Sequence, residues 1–291
     1  MKAADKRQLK KRTRFFLLIL ASLIALALLW GFAVEPKLLT VSEISFTDTR
    51  LPAALEGIRA VYISDVHVGP YYSEADVERL VKRIGELDPD IVFFGGDLVQ
   101  RAGDVEAVDR ERVARAFAAL EPRLGKFAVL GNHDIRTPVM QAIAEAMLRG
   151  GGFTLLYNSA AEAAPGFFVA GTAPWPDEGE DSPRNQADVT QVAWTTDGGA
   201  FSLLLSHEPE QAHKNAQYPF ALQLSGHTHG GQVNFPFAGF VYKKAGMGDY
   251  LSGFYDAGDL RMYVSRGVGT SVVRVRFFAP PEIVVLTLHG K

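Results

Sequence analysis

Five short clusters of Asp, Asn and His, each at the end of a strand-like run, constrain this chain more than any other feature. In order they are Asp65-Val66-His67, Gly96-Asp97, Gly131-Asn132-His133-Asp134, Ser206-His207 and Gly226-His227-Thr228-His229. Five of the seven histidines fall within them. Four clusters follow apolar, β-branched or aromatic runs, and the fifth follows the mixed run Phe220-Ala221-Leu222-Gln223-Leu224. Polar residues placed after successive strands collect at one edge of a sheet, which is where open α/β folds put their sites. An α/β fold with one shared polar centre is therefore expected.

A chain of 291 residues can bury one large core or two modest ones. The absence of cysteine excludes a disulfide framework, thiolate metal ligands and a cysteine nucleophile. The net charge of -3 conceals an asymmetry. Residues 1–14 carry seven Lys/Arg against Asp5, whereas the remainder holds 23 basic and 32 acidic residues. An acidic domain repels phosphate polymers at long range, so nucleic acid is not an expected partner. A small or lipid-borne phosphate stays open, because bound cations reverse the local field.

Phe15–Val34 is an uncharged run of 20 residues, long enough as a helix to cross a hydrocarbon core of roughly 30 Å. A cleavable signal would have a shorter apolar region and a small-x-small cleavage site, and Trp30-Gly31-Phe32-Ala33 is a poor one. The expected organisation is a basic cytoplasmic segment at 1–14, a membrane anchor at 15–34, a short linker at 35–40 and a catalytic domain at 41–291. The basic flank places the N-terminus in the cytoplasm and the domain outside it, on the periplasmic or outer face.

Beyond the linker, strands are expected at Leu39–Phe46, Ile58–Ser64, Ile91–Phe94, Phe127–Leu130, Phe153–Tyr157, Phe167–Ala170, Phe201–Leu205, Ala221–Leu224, Arg261–Ser265 and Glu282–Leu288. Helices are expected after the Ser73 cap, over Asp104–Leu120 and over Val139–Arg149. Trp175–Asp188, acidic and Pro-containing, reads as a surface loop. Alternating strands and helices followed by mostly strands suggest two packed β-sheets with helices outside.

Outside His133 and Asp134, the clusters offer two carboxylates, one amide oxygen and four imidazoles. Such mixed N/O donors suit Mn, Fe, Zn or Co better than Ca or Mg alone. Asp65 and His67, two apart at a strand end, can chelate one ion from the same side, and His227 and His229 repeat that spacing. Asp97 can bridge two ions about 3.5–4 Å apart, the separation used in two-metal hydrolases. His213 and His289 lie outside the pattern and read as ordinary structural residues. Ser206 beside His207 has no Gly-x-Ser-x-Gly elbow around it, so a serine hydrolase is rejected.

The ordered series Asp-x-His, Gly-Asp, Gly-Asn-His-Asp, His, Gly-His-x-His resembles the calcineurin-like metallophosphoesterase superfamily from Ile58 to His229. Gly230-Gly231-Gln232, Ser265-Arg266-Gly267-Val268-Gly269-Thr270 and Pro280-Pro281-Glu282 resemble its branch of membrane-anchored bacterial phosphodiesterases. The resemblance implies an α/β/β/α sandwich and two divalent ions. Asp65, His67 and His229 would hold the first ion, Asn132, His207 and His227 the second, with Asp97 bridging. His133 would face the phosphoryl group and protonate the leaving oxygen, oriented by Asp134. The implied reaction is attack of a metal-bridging hydroxide on phosphorus, a phosphoric ester hydrolysis.

The substrate is expected to be a lipid-linked or envelope phosphoester. Phe235–Tyr255, with seven aromatic rings around Lys243-Lys244, either buries its rings in a hairpin or forms an apolar lid for acyl chains. Tyr71 is a further wall residue, and Arg266 either binds substrate phosphate or makes a plain salt bridge. One alternative is hydrolysis of UDP-2,3-diacylglucosamine, an activity found in this superfamily that needs a cytoplasmic site. Another is a non-catalytic binding module, as in the retromer subunit of this fold. Such descendants typically lose metal ligands, and here none is missing.

Overall fold

The computed structural model describes residues 3–101, 103, 106–175, 187–235, 239–240 and 250–291. Parts of the expected loop at 175–188 and of the aromatic segment at 235–255, including Lys243-Lys244, lie outside the described residues.

Two six-stranded sheets share the chain. The first contains β1 (Thr40–Thr47), β2 (Ile58–Ile63), β3 (Ile91–Gly95), β4 (Lys126–Val129), β5 (Thr154–Leu155) and β14 (Glu282–His289), in the order β1-β14-β2-β3-β4-β5. The second contains β6 (Ser159–Ala164), β7 (Phe167–Gly171), β8 (Phe201–Leu205), β9 (Leu222–Ser225), β12 (Gly253–Ala257) and β13 (Leu260–Val264), in the order β12-β13-β9-β8-β7-β6. A short pair, β10 (Asn234–Phe235) and β11 (Gly239–Phe240), stands apart.

Strands β2 and β3 are apolar at successive positions because both of their faces are buried. Val61, Ile63, Val92 and Phe94 point into one core, under the helices α2 (Glu74–Gly85), α3 (Arg110–Ala118) and α4 (Pro138–Gly150). Their alternating neighbours Ala60, Tyr62, Ile91 and Phe93 point into a second core with Phe167, Phe201, Leu203 and Leu205 of the other sheet. A period of two places neighbouring residues on opposite faces, so these runs read as continuous apolar stretches. The result is the expected sandwich of helices, sheet, sheet and an outer layer. That outer layer is thin among the described residues, built from 3-10 turns at Val189–Gln191 and Ala193–Gly199 and the four-residue helix α5 (Ala212–Asn215).

Several boundaries moved for local reasons. α3 begins at Arg110 rather than near Asp104, because Asp109 accepts the Arg112 N–H and caps it there. α2 starts where Ser73 predicts, with a Ser73–Asp76 capping box. β6 and β12 are strands that the sequence did not mark. β6 is Ser-Ala-Ala-Glu-Ala-Ala, which lacks β-branched residues and is held only by its pairing with β7.

At the N-terminus, α1 (Ala3–Leu29) leads into a π-helical turn at Trp30–Val34 and a 3-10 turn at Glu35–Lys37. The basic residues and the apolar run thus belong to one helix. Lys10–Lys37 is long and apolar enough to cross a membrane, and it is almost entirely free of protein contact. The segment expected as a linker is docked instead. Glu35 is buried, with Oε1 accepting the Ala279 N–H at 2.7 Å and Oε2 accepting the Trp30 indole N–H at 2.6 Å. The Gly31 carbonyl accepts the Arg276 N–H at 2.9 Å.

Candidate metal centre

All five clusters lie just beyond the carboxyl ends of β2, β3, β4, β8 and β9. Within each sheet these strands are parallel, so their ends fall on one edge, and the stacked sheets bring the two edges together. The loops turn sharply there. Asp65, His67, Asp97, His227 and His229 all have positive φ, between 51° and 70°, a conformation few non-glycine residues adopt.

The side chains converge in two connected sets. His67 Nε2 and His229 Nε2 face each other at 3.1 Å, and Asp65 Oδ1 lies 3.6 Å from His229 Nε2. In the second set His227 Nδ1 lies 2.9 Å from Asn132 Oδ1, and the His207 and His227 rings meet edge to face at 5.2 Å. Asp97 joins the sets, with Oδ2 3.6 Å from His67 Nε2 and 3.4 Å from His207 Nε2. The seven residues assigned as ligands from the resemblance are therefore neighbours in space, with Asp97 between the two groups.

The protonation pattern suits cation binding. The His207 Nδ1–H donates to the Gly95 carbonyl at 2.7 Å, and Nε2 faces Asp97 Oδ2 at 3.4 Å. Burial opposes charging of that imidazole, but the Asp97 carboxylate holds its pKa well above the usual range, so a divalent ion would take the place of the Nε2 proton. Burial, with their imidazole neighbours, pushes the pKa of His67 and of His229 well below the usual range, so both stay neutral. Burial raises the Asp65 carboxyl to about 6, with Asp97 adding to the rise against the opposing influence of His207. Burial also opposes ionisation of Asp97, but the surrounding imidazoles, His207 first, hold it well below the ordinary carboxylate value. Crowded carboxylates among imidazoles, two of them held neutral by burial, fit divalent cations.

His133 differs from the ligands around it. It lies close enough to His67 and Asp97 to complete a third donor group. Both of its ring nitrogens are nevertheless engaged, since Nδ1–H donates to the Gln100 carbonyl at 3.0 Å and Nε2 accepts from the Arg136 guanidinium at 3.1 Å. Its backbone N–H donates to Asp97 Oδ1 at 2.8 Å. The orienting contact expected from Asp134 thus comes from Gln100. Asp134 instead accepts the N–H groups of Val99 at 3.0 Å and Gly131 at 2.9 Å, tying the loops after β3 and β4 together.

Of the proposed substrate residues, Arg266 is used structurally. Its guanidinium donates to the Pro280 carbonyl at 3.0 Å and Thr40 Oγ1 at 3.2 Å, and it pairs with Glu282 at 3.5 Å. Neither Arg266 nor Tyr71 borders the cavity over the centre. His213 stacks near Tyr250 and His289 meets Glu56, both away from the site. Within the described part of the aromatic segment, Tyr250 packs edge to face on Tyr255 and Phe254 on Tyr263, with Tyr250, Phe254 and Tyr255 half-buried.

That cavity, of about 490 Å³, is lined by Asp97, His133, Arg136, His227 and His229. Val233, Val272, Val273 and Val275 line it as well. Arg136 and the valine loop had escaped the sequence reading, although Arg136 stands only three residues after His133. Close packing fixes this geometry. A Cβ at Gly131 would overlap the Asp97 carboxylate, so Gly131→Ala is expected to lose activity and about 1–3 kcal/mol of stability in chemical denaturation.

The family model of the calcineurin-like phosphoesterases matches residues 58–231, a span that takes in all five clusters. The chain belongs to the calcineurin-like phosphoesterase family. As a member of that family it is a metal-dependent phosphohydrolase. The metallophosphoesterase YkuE of Bacillus subtilis is 31% identical over 265 residues, 90% of each chain. A metallophosphoesterase of Aquifex aeolicus is 33% identical over 271 residues, covering 89% of this chain and 95% of the relative. The UDP-2,3-diacylglucosamine pyrophosphatase LpxG of Chlamydia trachomatis is 28% identical over 312 residues, covering 88% and 91%. Each of these calcineurin-like phosphoesterase relatives aligns with the chain over about nine-tenths or more of its own length.

Proposed function

We propose that this protein is a dinuclear-metal phosphodiesterase held in a membrane by residues 15–34, with 41–291 as its catalytic domain and a lipid-linked or envelope-associated phosphoester as substrate. The observation that carries the reading is the mixed lining of the cavity: metal donors and Arg136 together with four valines. A phosphoester with an apolar tail matches both kinds of lining, whereas a small polar phosphate would leave the valines unused.

Asp65, His67 and His229 are assigned to one ion, Asn132, His207 and His227 to the other, and Asp97 to both. Two divalent ions (Mn, Fe, Zn or Co) would supply Lewis-acid stabilisation of the phosphoryl oxygens and an activated water. The chain's own residues do the remainder. Arg136 meets phosphoryl charge at the cavity rim and, through its bond to His133 Nε2, positions the imidazole. His133, anchored by Gln100, carries no proton on Nε2 while that nitrogen accepts from Arg136; protonated there, with Arg136 turned to the phosphoryl group, it would hand that proton to the departing oxygen.

The basic residues before Phe15 favour a cytoplasmic N-terminus and an extracytoplasmic site. The similarity to LpxG favours a second reading, cleavage of UDP-2,3-diacylglucosamine on the cytoplasmic face. A C-terminal reporter fusion separates them. Activity of an export-dependent reporter is expected, together with Mn²⁺-dependent turnover of a lipid phosphodiester in mixed micelles. Cytoplasmic reporter activity with turnover of the nucleotide-linked lipid would reverse the assignment. Absence of turnover on any phosphoester would sink the catalytic proposal.

A further inference from the structure

The loop Ser271–Phe278, between β13 and β14, exposes apolar side chains that the chemistry does not require. Val272, Val273 and Phe278 are 57%, 45% and 57% exposed. Val272 also has a φ of 64°, which is rare for a β-branched residue. The tip is fastened in that shape by Gln232, whose amide donates to the Ser271 and Val273 carbonyls at 3.1 Å each and whose Oε1 accepts the Ser271 N–H at 2.8 Å. Valines held outward by a polar clamp mark a contact surface.

The end of α1 seats on this same loop. Beyond the Gly31–Arg276 hydrogen bond, a Cβ on Gly31 would lie 3.3 Å from the Arg276 carbonyl oxygen and 3.4 Å from both the Phe277 ring and a Val275 methyl. Only glycine allows that approach without displacing the loop. Val273 is two residues from Val275, so the tip lies within about 7 Å of chain from the helix contact. Phe32 and Val34 add exposed apolar surface next to it. A spanning helix that ends at Trp30–Val34 puts these residues at the membrane interface, and the docked loop shares their depth.

We infer that Val272, Val273 and Phe278 insert into the leaflet at which α1 ends, so that the cavity opens onto lipid and an acyl-bearing phosphoester enters sideways. This rests on the proposal of a membrane-anchored enzyme for a lipid-linked substrate. Val272 and Val273 both tip the loop and line the cavity, which makes the inserted surface continuous with the lining that meets an acyl chain. Arg274 supplies a cation beside the tip for anionic headgroups.

Because the chain has no cysteine, a single introduced thiol carries a label at one known place. The full chain is reconstituted in phosphatidylethanolamine–phosphatidylglycerol vesicles with an environment-sensitive fluorophore on Val273→Cys, Phe278→Cys, Leu23→Cys or Asp259→Cys. Asp259 is exposed at the opposite end of β13 from the loop. Labels at 273 and 278 are expected to shift blue and to be quenched by lipids carrying a shallow nitroxide. The label at 23 should be quenched by deep nitroxides, and that at 259 by neither. Labels at 273 and 278 that behave like 259 while 23 reports lipid overturn the insertion and leave the anchor standing. A label at 23 that reports water overturns both.

Discussion

Asp97→Ala should cut phosphodiester hydrolysis about 10³-fold and leave purified protein with no more than one divalent ion per chain. Asp97 approaches the imidazole nitrogens of both donor sets, with one oxygen near His67 and His207 and the other accepting the His133 N–H. Removing it leaves two buried imidazoles facing each other without the anion between them, so the sets lose their common member. Asp97→Asn keeps an acceptor for His133 and should preserve the loop while still losing most activity. Metal analysis by mass spectrometry, read beside thermal denaturation, distinguishes these results. Two ions retained in folded Asp97→Ala would show that the sets are independent sites.

His133→Ala should lower the rate about 10²- to 10⁴-fold while metal content stays at the parent level. The imidazole is fixed between the Gln100 carbonyl and Arg136, an arrangement that orients the ring and leaves no nitrogen for an ion. A substrate with a better leaving group needs less protonation, so the deficit should shrink for a nitrophenyl ester. Loss of metal together with rate would move His133 into the ligand set, beside His67 and Asp97.

The residues of the centre were legible because each follows a strand whose apolar run is visible in the sequence. Val61-Tyr62-Ile63 before Asp65 and Phe93-Phe94 before Asp97 mark strands buried on both faces. What the sequence hid depends on contacts between distant segments. β6 has no pattern of its own and exists through its pairing with β7. The exchange of roles between Asp134 and Gln100 arises from how two loops cross, which no local spacing encodes. Arg266 likewise looked available until the fold set it against Thr40 and Glu282, segments far away in the chain. The valine lining is hidden in the sequence because Ser271-Val272-Val273 reads as an unremarkable loop, whose shape is tied by the distant Gln232 together with its own backbone hydrogen bonds.

Five candidate ligands hold left-handed backbone, a conformation that costs a residue with a side chain on the order of 1–3 kcal/mol. Glycine at any of these positions would relieve that cost, and an apolar or neutral side chain in place of the buried charges would relieve more. Loss of the ligands is therefore the easy direction for this sequence to drift, each step trading chemistry for a more durable fold. A copy of the gene freed from its reaction would shed them early and still encode the same sandwich. By that reckoning the demands of folding alone would not favour these residues at these positions.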